Sequence, residues 1–256
     1  MQDSVRDFYD HLAGEYHLIY ADWHNAVRRQ GAVLDRLLRA HLGEGPHRIL
    51  DAACGIGTQA IGLALRGHDV RASDISAASV ERAVHEAAAL GVALDARVAD
   101  LRDLSAHGDG FDAVIACDNA LPHLVEDDDL ATACKSMFAT LRPGGILVAS
   151  IRDYDEAVRA RSAVTEPELF DGPAGRRIVF QSWDWARDAR TYVANLFIAR
   201  EHDGRWGLTH QAATYRALRR RELSEIARAA GFAAVRWHTT EESGFFQPIL
   251  TARRPA

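Results

Sequence analysis

Cysteine is scarce in this chain of 256 residues: there are three, Cys54, Cys117 and Cys134. An odd count with no C-x-x-C pair suggests neither a disulfide framework nor a zinc knuckle. Positive charge is also in deficit. Asp and Glu outnumber Lys and Arg by 36 to 30, for a net charge of −6, so there is no bulk attraction to nucleic acid or to an acidic membrane. No apolar run approaches the ~20 residues of a spanning helix. The opening MQDSVRDFYDHL is charged and lacks the apolar stretch of a signal peptide, and the expectation is a cytoplasmic protein. Internal repeats and low-complexity segments are missing. What is present, 48% apolar and 26% charged residues, is ordinary for a globular protein. The length allows one large domain, or a domain with an elaboration, around a sizeable core.

One stretch organises the rest. Residues 49–76, ILDAACGIGTQAIGLALRGHDVRASDIS, read as strand, glycine turn, helix, turn and strand. The first strand ends at Ile49-Leu50. Residues 51–58 are a turn of small residues, residues 59–66 a short amphipathic helix stopped by Gly67, and residues 70–73 a second strand with Asp74 at its carboxyl end. Ligands of parallel α/β sheets bind beyond the carboxyl ends of strands. Gly55 and Gly57 let backbone N–H groups approach such a ligand with no Cβ in the way. A dinucleotide fingerprint, G-x-G-x-x-G, sets a pyrophosphate on the helix N-terminus. Here the third glycine position holds Ala60, and Asp51, ahead of the turn, repels a pyrophosphate. An acid at Asp51 can receive an ammonium group, and Asp74 suits a ribose diol. S-adenosyl-L-methionine carries an ammonium, a ribose and no phosphate, so it is the expected cofactor, with S-adenosyl-L-homocysteine as product and no metal. The plain alternative is a glycine turn that only joins strand to helix.

Ahead of this stretch, residues 4–23 place Phe8, Leu12 and Tyr16 on one helical face. Tyr9, Tyr16, Tyr20 and Trp23 are more aromatics than a short lid helix needs for packing. Aromatic faces beside a sulfonium gain cation–π attraction; capping the edge of the core is the alternative. A second helix runs to about Leu42, with Val33, Leu37 and Leu38 inward, and Gly43, Gly45 and Pro46 end it. It carries Arg28 and Arg29, either of which could grip a cofactor carboxylate or simply face solvent.

After Asp74 a helix runs from Ser76 to Leu90, stopped by Gly91, and a third strand spans residues 94–98. Asp100 then offers an acceptor to an adenine amino group, with the Leu101 N–H facing the ring. A fourth strand over residues 111–117 leads into Asp118-Asn119-Ala120-Leu121-Pro122-His123-Leu124, where chemistry is expected. Residues 126–129, EDDD, first suggest a metal site; they read better as a helix N-terminus, where acids complement the macrodipole. That helix reaches Leu141, residues 142–145 are its terminating turn, and residues 146–151 are a fifth, apolar strand. The alternation implies a parallel sheet.

Beyond Arg152 the pattern changes. Residues 156–175 are polar and broken by Pro167, Gly172, Pro173 and Gly175. Strand-like runs at 177–184, 191–200 and 206–215 read as an antiparallel insertion covering the substrate pocket. A helix over 221–230, with Leu223, Ile226 and Ala227 inward, precedes a strand pair at 235–237 and 248–252. Arg219-Arg220-Arg221 is too short a run for a nucleic-acid patch at this net charge and reads as a solvated turn. The expected fold is α/β: a doubly wound, Rossmann-like, seven-stranded, mostly parallel sheet with an antiparallel β insertion after the fifth strand. Its expected divisions are an N-terminal helical lid (1–45), a cofactor-binding core (46–152), the insertion (153–218) and a C-terminal helix with strands completing the sheet (219–256).

This order of elements resembles the class I S-adenosylmethionine-dependent methyltransferases, and within them the glycine N-methyltransferase and glycine/sarcosine N-methyltransferase branch. The resemblance rests on LDAACGIGTQAIGLALRGHDV, AVIACDNALPHL and GGILVASIRDYDEAV. It implies that Ala53, Asp74 and its neighbour Ile75 contact the cofactor, with Gly55 in the turn, Asp100 and Leu101 beside the adenine and Cys117 through its backbone. It implies that Tyr9, Tyr16 and Tyr20 form the aromatic lid and that Arg29 is the lid arginine. On the substrate side it implies Asn119, Arg152 as holder of a carboxylate, and Tyr215. Asp118 stands where the family has glycine, and Trp183, Trp185 and His210 give the insertion its own composition.

The implied activity is methyl transfer to a nitrogen of a small molecule, an amino acid or a heteroaromatic or secondary-metabolite amine. O- or C-methylation of an aromatic natural product is the alternative. A non-catalytic cofactor-binding partner protein is the alternative from another class. The acceptor needs a neutral lone pair, and a nearby sulfonium itself disfavours the ammonium form. If a base is used, Asp118, His123 and His210 are the candidates. The alternatives are that His123 is a loop packing residue and that Arg152 pairs with Asp153 or Asp155. The expected partner is a small-molecule substrate, with no nucleic acid and no membrane; monomer and homo-oligomer both stay open.

Overall fold

The computed structural model describes residues 2–172 and 175–256; Pro173, one of the expected breakers of the insertion, lies outside them. The chain opens with α1 (Gln2–Leu12), a single 3-10 turn at Tyr16–Ile19, and α2 (Trp23–Leu42). The alternating part follows: β1 (Arg48–Asp51), α3 (Thr58–Ala64), β2 (Asp69–Asp74), α4 (Ala77–Ala89), β3 (Asp95–Val98), β4 (Phe111–Ala116), α5 (Asp127–Thr140) and β5 (Leu141–Ser150). Then come α6 (Tyr154–Ala160), β6 (Glu168–Phe170), β7 (Arg177–Trp185), β8 (Thr191–His202) and β9 (Arg205–Arg216). The chain closes with α7 (Arg220–Ala229), β10 (Ala233–His238), α8 (Thr240–Ser243) and β11 (Ile249–Arg253).

The strands form the expected seven-stranded sheet, in the order β3-β2-β1-β4-β5-β11-β10. Neighbours from β3 to β5 are parallel, and β11 runs antiparallel to both β5 and β10. The order reverses between β1 and β4, and at such a switch point a crevice opens beyond the carboxyl ends of the strands. Both faces of the sheet are covered, so its strands are apolar on both sides. Leu50, Val114, Ala116, Leu147 and Ala149 point into one core cluster, while Ile49, Ala113, Ile115, Ile146 and Val148 point into the other.

The insertion is a separate antiparallel sheet, β6-β7-β8-β9. Along β8, buried residues alternate with partly exposed ones. Tyr192, Ala194, Leu196 and Ile198 join the same core cluster as Leu50 and Val114, so this sheet is packed onto the main one. Arg177 of β7, 1% exposed, reaches across to the N-terminal segment. Its guanidinium donates to the carbonyls of Leu18 (2.8 Å), Tyr20 and Ala21 and lies over the Phe170 ring, which pins the 3-10 turn in place.

Several local readings are corrected. The first helix stops at Leu12, so Tyr16 sits in the 3-10 turn rather than on a helical face. Residues 142–145 are not a free turn but part of β5: pairing with β4 jumps from Phe111↔Leu141 to Ala113↔Ile146, so they bulge out of the ladder. The polar stretch from 156 holds most of α6, capped by Asp153 accepting from the Glu156 N–H at 3.1 Å. Arg220 and Arg221 begin α7 and are paired, Arg220 with Asp155 (2.7 Å) and Arg221 with Glu225 (2.8 Å). The acids Asp127, Asp128 and Asp129 occupy the first turn of α5, and no metal-binding cluster exists among the described residues. No helix among them is long and apolar enough to cross a membrane.

The helix that follows the glycine turn is held by backbone contact. A Cβ on Gly62 of α3 would lie 2.4 Å from the Val27 carbonyl oxygen of α2, and one on Gly31 of α2 would lie 2.4 Å from the Gly62 backbone. Overpacking a core costs about 1–3 kcal/mol even where side chains can yield, and backbone atoms cannot. Gly62→Ala should therefore destabilise the fold by at least about 2 kcal/mol, read as a lower denaturation midpoint in urea.

Candidate active site

The carboxyl ends of β1, β2 and β4 open into a cleft. Its floor is Ala52 to Ile56, and its sides carry Asp74, Ile75, Ala99 to Leu101 and Cys117-Asp118; Val5, Tyr9 and Tyr16 close it from the N-terminal segment. Gly55 has φ +52, with nothing within 4 Å of where a Cβ would stand. The turn is thus open toward the cleft at a residue for which the left-handed conformation is free.

The acids set the electrostatics. Asp74 braces the turn: its oxygens accept from the Gly55 N–H at 2.8 Å and the Ser76 N–H at 2.9 Å. Burial raises its carboxyl above the ordinary range, against these N–H groups. Asp51, the last residue of β1, is 1% exposed and does not itself line the cleft, though its neighbours Ala52 and Ala53 do. One oxygen accepts weakly from the Ala53 N–H at 3.4 Å, and the other has no hydrogen-bond partner. Burial, with the Ala53 N–H opposing it, pushes Asp51 up to about 7. Asp100 is held in a fork by Arg102 at 2.8 and 3.0 Å. No arginine or lysine lines the cleft among the described residues. A buried, unpaired carboxylate is costly, and a cationic ligand relieves that cost while a phosphate raises it.

Asp118 and Asn119 follow β4 in left-handed conformations, φ +56 and +66. The end of β5 holds them there: Ser150 accepts from the Asp118 N–H at 2.8 Å through its hydroxyl and from the Asn119 N–H at 3.1 Å through its carbonyl. The Asp118 carboxylate accepts from Tyr20 (3.0 Å), Tyr16 (3.3 Å) and Gln247 (3.4 Å). Its enclosure raises the carboxyl, with the Tyr20 hydroxyl and the Arg152 charge opposing. The Asn119 amide oxygen accepts from the Arg152 N–H at 3.1 Å and the Tyr154 hydroxyl at 3.0 Å. Its Nδ2 is buried without a partner.

Arg152 donates to the Tyr192 hydroxyl at 3.0 Å and lies over the rings of Trp183 and Tyr215, 5.0 and 5.6 Å from their centroids. The alternative ion pair with Asp153 or Asp155 is not formed; both acids face Arg220. His123 meets the Tyr9 hydroxyl through Nε2 at 2.8 Å and packs on Tyr215, centroids 4.1 Å apart. Burial, helped by the Arg152 charge, pushes its ring down to about 3, which makes it a weak base.

Most of the residues expected at a site come together. Tyr9, Tyr16, Ala53, Gly55, Asp74, Ile75, Asp100, Leu101, Cys117, Asp118 and His123 line the cleft. Asn119, Arg152 and Tyr215 line a small adjoining cavity that shares Tyr9, Tyr16 and Asp118 with it. Four expected residues, Tyr20, Arg29, Asp51 and His210, line neither. Arg29 is exposed and borders an open outer groove, together with Tyr20, instead of the cleft; Val27, Gln30 and Leu34 form the buried face of α2, and residue 29 falls off it. His210 is exposed, bonded to Asn195 at 3.0 Å and stacked on Phe197. It stands an odd number of residues from Tyr215 on unbroken β9, so the two point to opposite faces.

The structure also adds residues. Thr58 and Gln59 line the cleft, Thr58 accepting from the Trp23 indole at 2.9 Å and Gln59 donating to Gln30 at 2.7 Å. Tyr154, Tyr192 and Gln247 position Asn119, Arg152 and Asp118. Polar Gln59 inside the apolar helix TQAIGLA was the one signal available.

Residues 49–145 match the family model of a methyltransferase domain. The S-adenosylmethionine-bound amino pentose methyltransferase of Micromonospora echinaspora superposes with TM-score 0.71 and 21% identity, over 91% of this chain and 92% of that one. The fold is that of a class I methyltransferase. DesVI of Streptomyces venezuelae superposes with TM-score 0.76 and 20% identity, over 95% and 98% of the two chains. In sequence, this methyltransferase-fold chain resembles the glycine/sarcosine N-methyltransferase of Parasynechococcus marenigrum (strain WH8102), 34% identical over 173 residues. That alignment covers 64% of this chain, which spans about 60% of the relative's length.

Asp51 makes the cleft's attraction for a cation dependent on pH. A carboxyl poised at about 7 is charged above that pH and neutral below it. Affinity for S-adenosylhomocysteine, measured by calorimetry, should be flat above pH ~7 and weaken below it by up to about tenfold per unit. Asp51→Asn should abolish that slope.

Proposed function

We propose that this chain is an S-adenosylmethionine-dependent methyltransferase acting on a nitrogen of a small molecule. One observation carries the cofactor assignment: among the described residues, the cleft at the switch point is lined by acids and by no arginine or lysine. Such a surface repels the pyrophosphate of a dinucleotide and attracts an ammonium and a sulfonium. The residues present fit that ligand. The unpartnered oxygen of buried Asp51, next in the chain to the cleft-lining Ala52, favours its ammonium. Asp74 suits the ribose, Asp100 and the Leu101 N–H the adenine, Gly55 and Cys117 a close backbone approach, and Ile75 apolar contact. Tyr9 and Tyr16 supply aromatic faces near the cleft mouth, with Tyr20 behind them on Asp118. Once bound, the cofactor supplies a sulfonium methyl whose transfer forms the N–C bond, breaks the S–C bond, releases one proton from the nitrogen and leaves S-adenosylhomocysteine.

The chain's own part is position and proton handling. Well-aligned reactants gain as much as roughly 7–11 kcal/mol over free encounter. Arg152, Asn119 and Tyr215 orient the acceptor in the adjoining cavity. Asp118, where cavity and cleft meet, is the better-placed proton acceptor, because His123 is buried and weakly basic. Nitrogen as the acceptor atom is favoured by the name of the 34% identical relative, a glycine/sarcosine N-methyltransferase.

Calorimetry with S-adenosylhomocysteine and with NAD separates the cofactor classes. The expected result is saturable binding of the first and none of the second; no binding of S-adenosylhomocysteine at millimolar concentration would overturn the proposal. Across amines, phenols and heteroaromatics, turnover should appear with amines and be absent with phenols.

A further inference from the structure

We propose that Asp10 is a positioning residue for the cofactor: its carboxylate fastens α1 to the strand-end segment that carries Asp74, and so holds the cleft closed over a bound S-adenosyl ligand. The proposal rests on the methyltransferase reading and adds to it a residue that lines neither the cleft nor the adjoining cavity.

One side of α1 faces the cleft. Val5 and Tyr9, four residues apart and therefore neighbours on the helix surface, both line it. The Tyr9 hydroxyl also meets His123, another lining residue, at 2.8 Å. Asp10 comes next in the chain and turns to α4 instead. One of its oxygens accepts from the Ser76 hydroxyl at 2.6 Å and from the Ala78 N–H at 3.2 Å. Ser76 is the N-cap of α4. Its hydroxyl accepts from the Ser79 N–H at 3.0 Å while giving its proton to Asp10. Its backbone N–H goes to Asp74 at 2.9 Å, and Asp74 accepts from the Gly55 N–H with its other oxygen at 2.8 Å. Asp10, Ser76, Asp74 and Gly55 therefore form one continuous chain of hydrogen bonds, from the N-terminal helix to the glycine turn.

The first N–H groups of a helix have no partner within it, and that end favours negative charge. Ser76 already caps α4 from within the chain segment, so the helix does not need a second acceptor to start. What Asp10 adds is a charged hydrogen bond between two elements, roughly twice as strong as a neutral one. The far end of α1 is held by α4 as well: Arg82 donates to the carbonyls of Ala13 and Gly14 at 3.3 and 3.1 Å, where a cation complements the helix end. The 3-10 turn beyond is fixed differently, by the buried guanidinium of Arg177. The bond between Asp10 and Ser76 is only part-buried, so water can replace it when α1 lifts, while the turn that carries Tyr16 stays on Arg177. Asp10 thus governs the escape of the ligand, and through Ser76 it holds Asp74 at the ribose.

The test follows release of radiolabelled S-adenosylhomocysteine from the full chain after a chase with excess unlabelled ligand, alongside the urea midpoint of each variant. Asp10→Ala should raise the release rate about tenfold, as hydrogen bonds to a charged group are given up. Asp10→Asn keeps an acceptor oxygen in the same place and should bring the rate back to within about threefold of the parent chain. Ser76→Ala should also speed release, and combining it with Asp10→Ala should give less than the product of the two single effects, because both remove one shared bond. Release from Asp10→Ala within about twofold of the parent chain, with only the urea midpoint lowered, would overturn the proposal and leave Asp10 a helix cap. So would an Asp10→Asn variant as fast as Asp10→Ala, or single effects that simply multiply. Each of these results leaves the methyltransferase reading intact; failure of the parent chain to bind S-adenosylhomocysteine would remove both.

Discussion

Burial of carboxylates without cations is the constraint around which this site is arranged. Asp51 and Asp74 are 1% and 8% exposed at the carboxyl ends of β1 and β2, and burial raises both. The fold satisfies Asp74 from its own backbone, through the Gly55 and Ser76 N–H groups, and leaves one oxygen of Asp51 with no donor at full hydrogen-bond geometry. A site that stores this imbalance discriminates by charge before it discriminates by shape. The glycine turn gives access to it, and the direct backbone contact of Gly31 with Gly62 fixes where the following helix starts.

The second half of the site depends on one strand end. Ser150 anchors the backbone of both Asp118 and Asn119, so the two residues share a single rigid support. The aromatic walls come from two other directions, the N-terminal segment and the antiparallel sheet. Arg177 joins them by donating from β7 to the Leu18 carbonyl of the 3-10 turn and to the Tyr20 carbonyl just after it. Tyr16 and Tyr20, carried by and just after that turn, close on Asp118. Lid and core sheet thus meet at one carboxylate, which lines both the cleft and the adjoining cavity.

The alternating core was legible because strands covered on both faces read as apolar runs, and because glycines mark the turns between them. The strand-end acids were legible for a related reason: a parallel α/β sheet presents ligands only beyond its carboxyl edge, so Asp51, Asp74, Asp100 and Asp118 could be placed without knowing any side-chain position. Short polar elements such as α6 and β6 were not, since neither carries enough apolar periodicity to be distinguished from loop. Arg29 and His210 failed through facing. Arg29 is a matter of which stripe of α2 is buried, and His210 of strand parity relative to Tyr215, and both depend on tertiary packing. The Gln30–Gln59 pair and the Tyr154–Tyr192 support of Asn119 and Arg152 join residues far apart in the chain, and no single position announces such a partner.

A crystal structure with S-adenosylhomocysteine bound tests the central claim most directly. The account predicts the ligand along the β1 and β2 strand ends, its ribose hydroxyls within hydrogen-bond distance of Asp74, its ammonium over the Asp51 wall and its sulfur facing Asp118. A ligand seated in the outer groove beside Arg29, or with its carboxylate turned toward Asp51 and Asp74, would contradict it.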